Sequence, residues 1–150
     1  MGKQYHFDIT RPGIGLYGGN PYSNAKRVIG LKLPVIQIRT VLPDETVGYS
    51  NTWTAKKITK VATVSSGYAD GIFRNMSNKA TLYYNEIPNS IIGRISMDLI
   101  GVDVSNCKED PDYLWLLNGK QSIDDLAEEA NSIGYEILTA LGQRYNRIYI

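Results

Sequence analysis

The chain has 150 residues, enough for one domain that buries a core without disulfides or a metal ion. Its 16 basic and 15 acidic residues give a formal charge of +1 and are spread along the length rather than gathered into runs. This balance leaves no electrostatic footprint for nucleic acid or a membrane surface, so neither is expected as a partner.

The scarcity of cysteine and histidine argues against a metal site. Cys107 has no partner for a disulfide, which suits a reducing compartment, and His6 has no second ligand at metal-binding spacing. No run of roughly 18 apolar residues exists, and the N-terminus lacks the apolar core of a signal peptide. We therefore expect a cytoplasmic protein without a metal.

In chain order, the pattern first predicts the tail of a strand over residues 7–16. Ile36 and Ile38 alternate with polar residues as in a half-buried strand, and a turn follows at 43–45. Further extended runs are predicted over 46–53 and 58–66. A hairpin follows, with one arm over 79–84 and a return from residue 87.

The longest extended segment is predicted over residues 90–104. In it one face would carry Ile91, Ile95, Met97 and Leu99. Short strands at this spacing, separated by turn signals, predict a mainly β fold, a small Greek-key-type β-barrel.

One segment is convincingly helical. Ser122 is placed to cap a helix while Asp125 reaches back, and apolar residues recur at helical spacing from Ile123 to Ile133. Gly134 is predicted to end this helix. Another helical turn is expected over 135–141 and a last strand over 144–150, so the barrel should carry one or two short helices near its C-terminus.

Segment 10–18 combines an arginine with closely spaced glycines. Glycines leave backbone amides accessible to a phosphate, and an arginine such as Arg11 can address an anion or a ring nitrogen. The same residues also form ordinary turns, so both interpretations stay open.

Tyr49, in segment 46–53, can pack in a barrel wall or act as an acid or base. A phenol in water ionises only near pH ~10. Deprotonating a tyrosine so that it acts as a base at neutral pH therefore costs roughly 4 kcal/mol unless a nearby charge stabilises the phenolate. A catalytic Tyr49 therefore requires a nearby cation.

Two further segments carry polar groups in unusual places. Residues 65–74 gather a tyrosine, an aspartate and an arginine around glycines, and residues 93–98 put Arg94 and Asp98 in an otherwise apolar stretch. Buried charges are costly unless they are paired. These side chains are therefore expected to face a wet cleft or to neutralise a partner, which favours a site over a core.

Taken in order, these segments resemble the alanine racemase family over nearly the whole chain. The similarity is carried by Arg-Pro-Gly-Ile-Gly-Leu-Tyr-Gly at 11–18, Gly-Tyr-Ala-Asp-Gly at 67–71 and Gly-Arg-Ile-Ser-Met-Asp at 93–98. The ending, from Gly134 through Arg144 and Arg147, is similar too.

The resemblance implies an isomerase that interconverts L-alanine and D-alanine and so supplies D-alanine for peptidoglycan. It implies an N-terminal (β/α)8 barrel that binds pyridoxal 5'-phosphate through a lysine, a C-terminal β domain, and a head-to-tail homodimer. Residues 1–18 would be the last barrel strand and a linker, and residues 19–150 the C-terminal domain.

By position, the resemblance implies that Tyr49 is the base that removes the substrate's α-proton in the partner subunit's site. Tyr68 and Met97 are implied to line the substrate pocket, with the Met97 backbone near the substrate carboxylate. The corridor through which substrate enters, or the dimer contacts beside it, would include Arg74, Arg94, Asp98 and Gln143.

The implied cofactor contacts belong to the chain's own subunit. Arg11 would face the pyridine nitrogen and keep it unprotonated, which disfavours transamination. The amides of Gly13 and Ile14 would hold the phosphate. Gln143 departs from the family pattern, since many relatives carry a tyrosine there, and this puts the shape of the corridor in doubt.

The chain thus holds halves of two different sites, and no lysine in it lies in the family's cofactor-lysine motif. We expect no racemase activity from this chain alone, an active full-length protein, and a Met1 that is a boundary within a longer protein. Two alternatives stay open: a racemase for another amino acid such as serine, and a non-catalytic β-barrel module for binding or dimerisation.

Overall fold

The structure is a computed structural model, and it describes residues 3–22 and 24–150. The described part contains eight strands and two α helices. The strands are β1 Leu31–Val41, β2 Thr46–Val47, β3 Trp53–Thr54, β4 Thr59–Ser65, β5 Thr81–Tyr84, β6 Ile87–Ile92, β7 Leu99–Asp103 and β8 Tyr113–Leu117. The helices are α1 Ile123–Ala130 and α2 Gly134–Ala140.

Six of the strands close into a barrel in the order β1-β4-β7-β6-β5-β8, and all the neighbouring pairs are antiparallel. Strands β2 and β3 form a separate two-stranded sheet. The barrel order differs from the order along the chain, as in a Greek key, and closure leaves no unpaired sheet edge. The predicted fold class, a mainly β barrel with short helices near the C-terminus, is confirmed.

Strand β1 is long enough to pair with two different strands. Its first residues, Leu31 to Pro34, pair with β8, and the stretch from Val35 to Val41 pairs with β4. The register with β4 shifts between Val35 and Gln37, which is a bulge that bends the strand. This bend lets β1 close the barrel.

The core fills the barrel and extends beneath the helices. Leu33, Ile100 and Leu114 are fully buried within the barrel, and Leu126 of α1 is buried with them in one cluster. Burying a leucine or isoleucine side chain stabilises a fold by about 1.5–3 kcal/mol. The barrel therefore gives a rigid base for the loops at its rim.

The capping prediction for α1 is confirmed, but its predicted end is wrong. The Ser122 hydroxyl accepts from the amide of Asp125 at 3.1 Å, and the Asp125 carboxylate accepts from the amide of Ser122 at 2.6 Å. The helix ends at Asn131, whose left-handed backbone returns its amide to the carbonyls of the last turn. Gly134 instead begins α2, and Ile133 is exposed rather than buried.

The predicted continuous strand over 90–104 is wrong. Gly93 has φ +74°, so β6 ends at Ile92 and a loop over 93–98 leads to β7. The amides of this loop are taken by side chains: Gly93 donates to Asn78 Oδ1 at 2.6 Å and Ile95 to Ser77 Oγ at 3.0 Å. Ile95 is buried while Met97 is exposed, so they do not share a face.

The extended run predicted over 46–53 is interrupted where Tyr49 lies. Val47 pairs with Trp53, and the chain between them turns through a 3₁₀ turn at Tyr49–Asn51. Ser50 and Asn51 have positive φ, a backbone region that single polar residues at turns tolerate. Tyr49 is therefore at the tip of a hairpin and not in the barrel wall.

The two ends of the chain carry no strand in the part that the structure describes. The predicted strand tail over 7–16 has irregular backbone that leads into a 3₁₀ turn at Gly13–Tyr17, since no described strand lies beside it. The predicted last strand over 144–150 is likewise irregular. The division of the chain at residue 18 stays a prediction.

Candidate functional site

The loop over 93–98, which we call the hub loop, contacts two surface turns at once. Its first residues pack against the Tyr49 turn, and its last residues form hydrogen bonds with the turn that carries Tyr68. The hub loop thus contacts or carries Tyr49, Tyr68 and Met97, which the resemblance assigns to one site. It also carries Arg94, which the resemblance assigns to the entry corridor or to the dimer contacts.

The Tyr49 turn and the hub loop meet through two glycines. Gly48 and Gly93 both have positive φ, at +78° and +74°. A Cβ on Gly48 would lie 2.8 Å from the Arg94 amide nitrogen, and a Cβ on Gly93 would overlap the carbonyl oxygen of Val47. The two backbones therefore touch at Gly48 and Gly93. Tyr49 and Arg94 are the residues that follow these glycines, so both lie next to the contact.

A cleft of about 470 Å³ opens beside this crossing. Strands β1, β4 and β7 form its floor, and the Tyr49 turn and the hub loop form its walls. Its lining residues are Gln37, Arg39, Val47, Gly48, Tyr49, Val61, Thr63, Arg94, Ser96, Leu99, Ile100 and Gly101. Arg39 and Arg94 therefore line the same cleft as Tyr49.

Tyr49 itself is 69% exposed. Tyr68 and Met97 are also exposed, at 49% and 53%. Scattered apolar exposure is ordinary, but these three side chains flank one loop. The arrangement suits a surface that another domain or subunit covers.

The Tyr68 turn is held against the hub loop by its backbone. The amides of Tyr68 and Ala69 donate to the carbonyls of Ser96 and Met97, both at 3.0 Å. A Cβ at Gly67 would overlap both of those carbonyl oxygens. Only a glycine allows this approach, which fixes Tyr68 next to Met97.

Arg144, in the C-terminal segment, pairs with a carboxylate on each of these two elements. Its Nε lies 3.1 Å from Asp70 Oδ1, and its terminal nitrogen lies 2.8 Å from Asp98 Oδ1. The hydrogen bond to Asp98 and the charge of Asp70 raise the pKa of the Arg144 guanidinium above its ordinary value. Asp98 therefore neutralises a partner, as charges in this segment were expected to do.

Sequence reasoning did not single out Arg144 as a site residue. It stands next to Gln143, and nothing in the local pattern shows which carboxylates it reaches 46 and 74 residues away. The only signal in the sequence was indirect, because charged side chains such as Asp98 in an otherwise apolar stretch were expected to face a wet cleft or to neutralise a partner. Gln143 itself is exposed, and so is Arg74 in its 3₁₀ turn at Arg74–Met76.

The predicted cofactor contacts lie apart from the hub loop. Arg11 is exposed, and no hydrogen bond or ion pair among the described residues joins Arg11, Gly13 or Ile14 to the hub loop. The Ile14 amide donates to the Tyr135 hydroxyl at 3.0 Å. The two predicted half-sites therefore share no hydrogen bond or ion pair within the described chain.

The backbone at Gly13 and Ile14 forms a cradle for a polar oxygen. Gly13 has φ +57°, and a Cβ there would lie 2.5 Å from the hydroxyl oxygen of Tyr135. An amide donor beside an open glycine fits a phosphate oxygen as well as a phenol oxygen. The Tyr135 hydroxyl occupies this position in the structure, so a phosphate oxygen fits here only in its place.

No group of three or more His, Cys, Asp or Glu side chains in residues 3–22 and 24–150 is arranged to hold a metal ion. Within the same residues, no helix is long and apolar enough to cross a membrane.

Comparisons with known proteins agree on one family. The family model described as "Alanine racemase, C-terminal domain" matches residues 28–149. An alanine racemase of Cereibacter sphaeroides is 56% identical over 149 residues, which are 99% of this chain and 43% of the relative. A catabolic alanine racemase of Agrobacterium fabrum is 42% identical over 158 residues, or 100% of this chain and 41% of the relative.

Solved structures give the same result. The crystal structure of alanine racemase from Bartonella henselae with covalently bound pyridoxal phosphate has a TM-score of 0.94 and 39% identity, covering 99% of this chain and 44% of that one. The biosynthetic alanine racemase of Pseudomonas aeruginosa has a TM-score of 0.85 and 33% identity, covering 92% and 41%. The chain spans less than half the length of these relatives, and it belongs to the alanine racemase family as that family's C-terminal domain.

Proposed function

We propose that the protein containing this chain interconverts L-alanine and D-alanine with pyridoxal 5'-phosphate, and that this domain supplies Tyr49 as a base to a site in the partner subunit. Family membership supports the reaction. The observation that carries the role of this domain is the hub loop, which holds Tyr49 on one side and Tyr68 on the other. The product, D-alanine, would serve peptidoglycan synthesis.

Racemisation needs a proton carrier on each face of the substrate's α-carbon. Pyridoxal phosphate, when bound, withdraws electrons from that carbon and makes its proton removable. Tyr49 would hold or accept the proton at its phenol oxygen on one face. Arg39 and Arg94 line the cleft beside it and would stabilise the phenolate, which meets the cation requirement set by the chemistry of tyrosine.

Tyr68 and Met97 would bind the substrate next to Tyr49. The Met97 carbonyl accepts from Ala69 at 3.0 Å, whereas the Met97 amide donates to no residue that the structure describes. A free amide at this position would donate to the carboxylate of alanine. The exposed side chains of Tyr68 and Met97 would then close the pocket around the small methyl group.

Arg11, Gly13 and Ile14 would hold the cofactor of the chain's own subunit. The Gly13 and Ile14 cradle would receive the phosphate, and Tyr135 would give up its bond with the Ile14 amide or share it. Arg11 would face the ring nitrogen. Since an arginine keeps its proton, it would leave that nitrogen unprotonated and weaken side reactions.

Hybrid dimers of the full-length protein test both the reaction and the shared site. One subunit carries Tyr49→Phe, and the other lacks the cofactor lysine of the barrel. Each homodimer should be inactive on alanine. The isolated hybrid dimer should have about half the wild-type activity, because one of its two sites is intact, and a randomly paired equal mixture should have about a quarter. A mixture without activity, or an active Tyr49→Phe homodimer, would contradict the proposal.

Substrate scope is measured with the same activity assay. The wild-type protein is compared on alanine, serine and lysine, and alanine should give the highest kcat/KM. A protein that is inactive on every amino acid would instead support a binding or dimerisation module.

A further inference from the structure

The guanidinium of Arg144 is the point where three separate segments of the chain meet. It reaches Asp70, in the Tyr68 turn, at 3.1 Å and Asp98, at the end of the hub loop, at 2.8 Å. The two carboxylates differ in setting, since the Asp70 side chain is 10% exposed and that of Asp98 is 50% exposed. Arg144 therefore joins a buried charge to a surface charge.

Asp70 also organises its own turn. Its second oxygen accepts from the amide of Gly67 at 2.8 Å, and this closes the turn that presents Tyr68. A buried carboxylate is costly unless it is paired, and Arg144 is the cation paired with it among the described residues. The charge of Arg144 consequently supports the shape of the Tyr68 turn.

The segment that carries Arg144 is itself fixed to the same place. The Tyr145 hydroxyl lies 3.1 Å from Ser66 Oγ, one residue before Gly67. Gly71, at φ +91°, lies so close to the end of α2 that a Cβ there would overlap the carbonyl oxygen of Ala140. These contacts hold the backbone on both sides of Arg144 close to its two carboxylates.

We infer that Arg144 is a positioning residue of the proposed alanine site, which fixes the Tyr68 turn against Met97 through its pairs with Asp70 and Asp98. The inference rests on the proposed function, because it concerns the pocket formed by Tyr68 and Met97. Among the described residues, Arg144 forms no hydrogen bond or ion pair with either side chain. It acts on the distance between the two loops that carry them.

The two-carboxylate arrangement requires the planar fork of arginine. A guanidinium presents several N–H donors in a fixed plane and can reach two acceptors at once, whereas an ammonium is a single point charge. Lysine at position 144 would keep a positive charge near Asp70 but could not span both carboxylates equally well. Glutamine would remove the charge and leave two carboxylates facing each other.

The experiment uses the full-length protein with its cofactor. The variants are Arg144→Gln, Arg144→Lys and Asp98→Asn, and Arg147→Gln is the matched control. Arg147 lies on the same segment, but its guanidinium donates to the nearby carbonyls of Leu141 and Gly142 and to no carboxylate in the described chain. Hydrogen exchange of segment 66–71, KM and kcat for alanine, the cofactor absorbance spectrum and Tm are measured for each variant.

In Arg144→Gln, the amides of Tyr68 and Ala69 should exchange about tenfold faster than in the wild type, since the turn is no longer held. KM for alanine should rise about five- to tenfold, because a small displacement of binding groups weakens substrate binding. The cofactor spectrum should stay that of the wild type. Arg144→Lys and Asp98→Asn should show part of both effects, and Arg147→Gln neither.

Unchanged exchange in all three variants would overturn the inference, and so would faster exchange with an unchanged KM, which indicates a merely structural role. Equal effects from Arg147→Gln would overturn it as well. If Arg144→Gln does not fold, the hydrogen exchange and KM of Asp98→Asn test the inference in its place. A wild-type protein without racemase activity would overturn the proposed function and the link to the pocket, while the exchange measurement would still show whether Arg144 fixes the two loops.

Discussion

Replacing Gly93 with alanine should destabilise the fold and displace Tyr49 at the same time. An alanine at φ +74° sits in a backbone region that costs roughly 1–2 kcal/mol for a residue with a Cβ. Its Cβ would overlap the Val47 carbonyl oxygen, so the two backbones would have to separate by about 1 Å to reach ordinary contact. This separation opens the crossing that holds the Tyr49 turn.

The separation also strains the hydrogen bond from the Gly93 amide to Asn78 Oδ1, which is 2.6 Å long. Losing a typical hydrogen bond costs about 1 kcal/mol. Adding this to the backbone term, we expect Gly93→Ala to lower the free energy of unfolding by about 2–3 kcal/mol. In the full-length protein, a displacement of about 1 Å at Tyr49 should lower kcat by about 100-fold.

Urea unfolding of the chain, followed by tryptophan fluorescence, measures the stability term. Trp53 pairs with Val47 beside the crossing, while Trp115 lies in β8, so the signal reports on the crossing and on the barrel together. The matched control is Gly119→Ala, since a Cβ there meets nothing within 4 Å and its φ lies outside the left-handed range. The free energy of unfolding of the control should equal that of the wild type or exceed it by up to about 1 kcal/mol. Equal midpoints for Gly93→Ala and the wild type would refute this reasoning.

Three further predictions follow from the structure. Ser122→Ala should lower the free energy of unfolding by about 1 kcal/mol, because the cap of α1 loses its acceptor for the Asp125 amide; a urea titration with no change in midpoint would contradict this. Burial raises the pKa of the Cys107 thiol, so it should react with a thiol reagent at pH 8 only after unfolding; rapid labelling of the folded chain would show that the thiol is accessible. The chain alone, incubated with L-alanine and pyridoxal phosphate, should form no D-alanine in a chiral assay, because it holds halves of two different sites; measurable racemisation would refute that division.

The sequence predicted what depends on local chemistry. The serine and aspartate of the α1 cap and the hairpin at Asn85 were predictable, since each is decided within a few residues. The alternation of apolar residues in the strands was also sufficient to predict a barrel. The cap and the hairpin do not depend on distant contacts.

The breaks in the predicted elements could not be read from periodicity. Gly93 interrupts an apolar run because its backbone crosses that of Gly48, a contact between residues 45 positions apart. The amides of the hub loop bind Ser77 and Asn78, whose side chains come from another turn. Tertiary contacts of this kind override local propensity.

The candidate site, like the fold, could be predicted only in part from the sequence. Tyr49, Tyr68 and Met97 were found because the order of motifs resembles a family, and their roles stay predictions. Arg144 was missed because its partners are distant in sequence, and its role became visible only from two ion-pair distances. The sequence left open whether the charges of segments 65–74 and 93–98 face a wet cleft or a partner, and it did not show which residues pair.

The central claim is that the phenol oxygen of Tyr49 carries the α-proton on one face of alanine in a site completed by another subunit. Exchange of the α-hydrogen of each alanine enantiomer into deuterated water, catalysed by the full-length Tyr49→Phe protein, tests this most directly. We expect exchange from one enantiomer to fall by at least about 10³-fold while the other still exchanges through the carrier on the opposite face. Wild-type exchange rates from both enantiomers would contradict it.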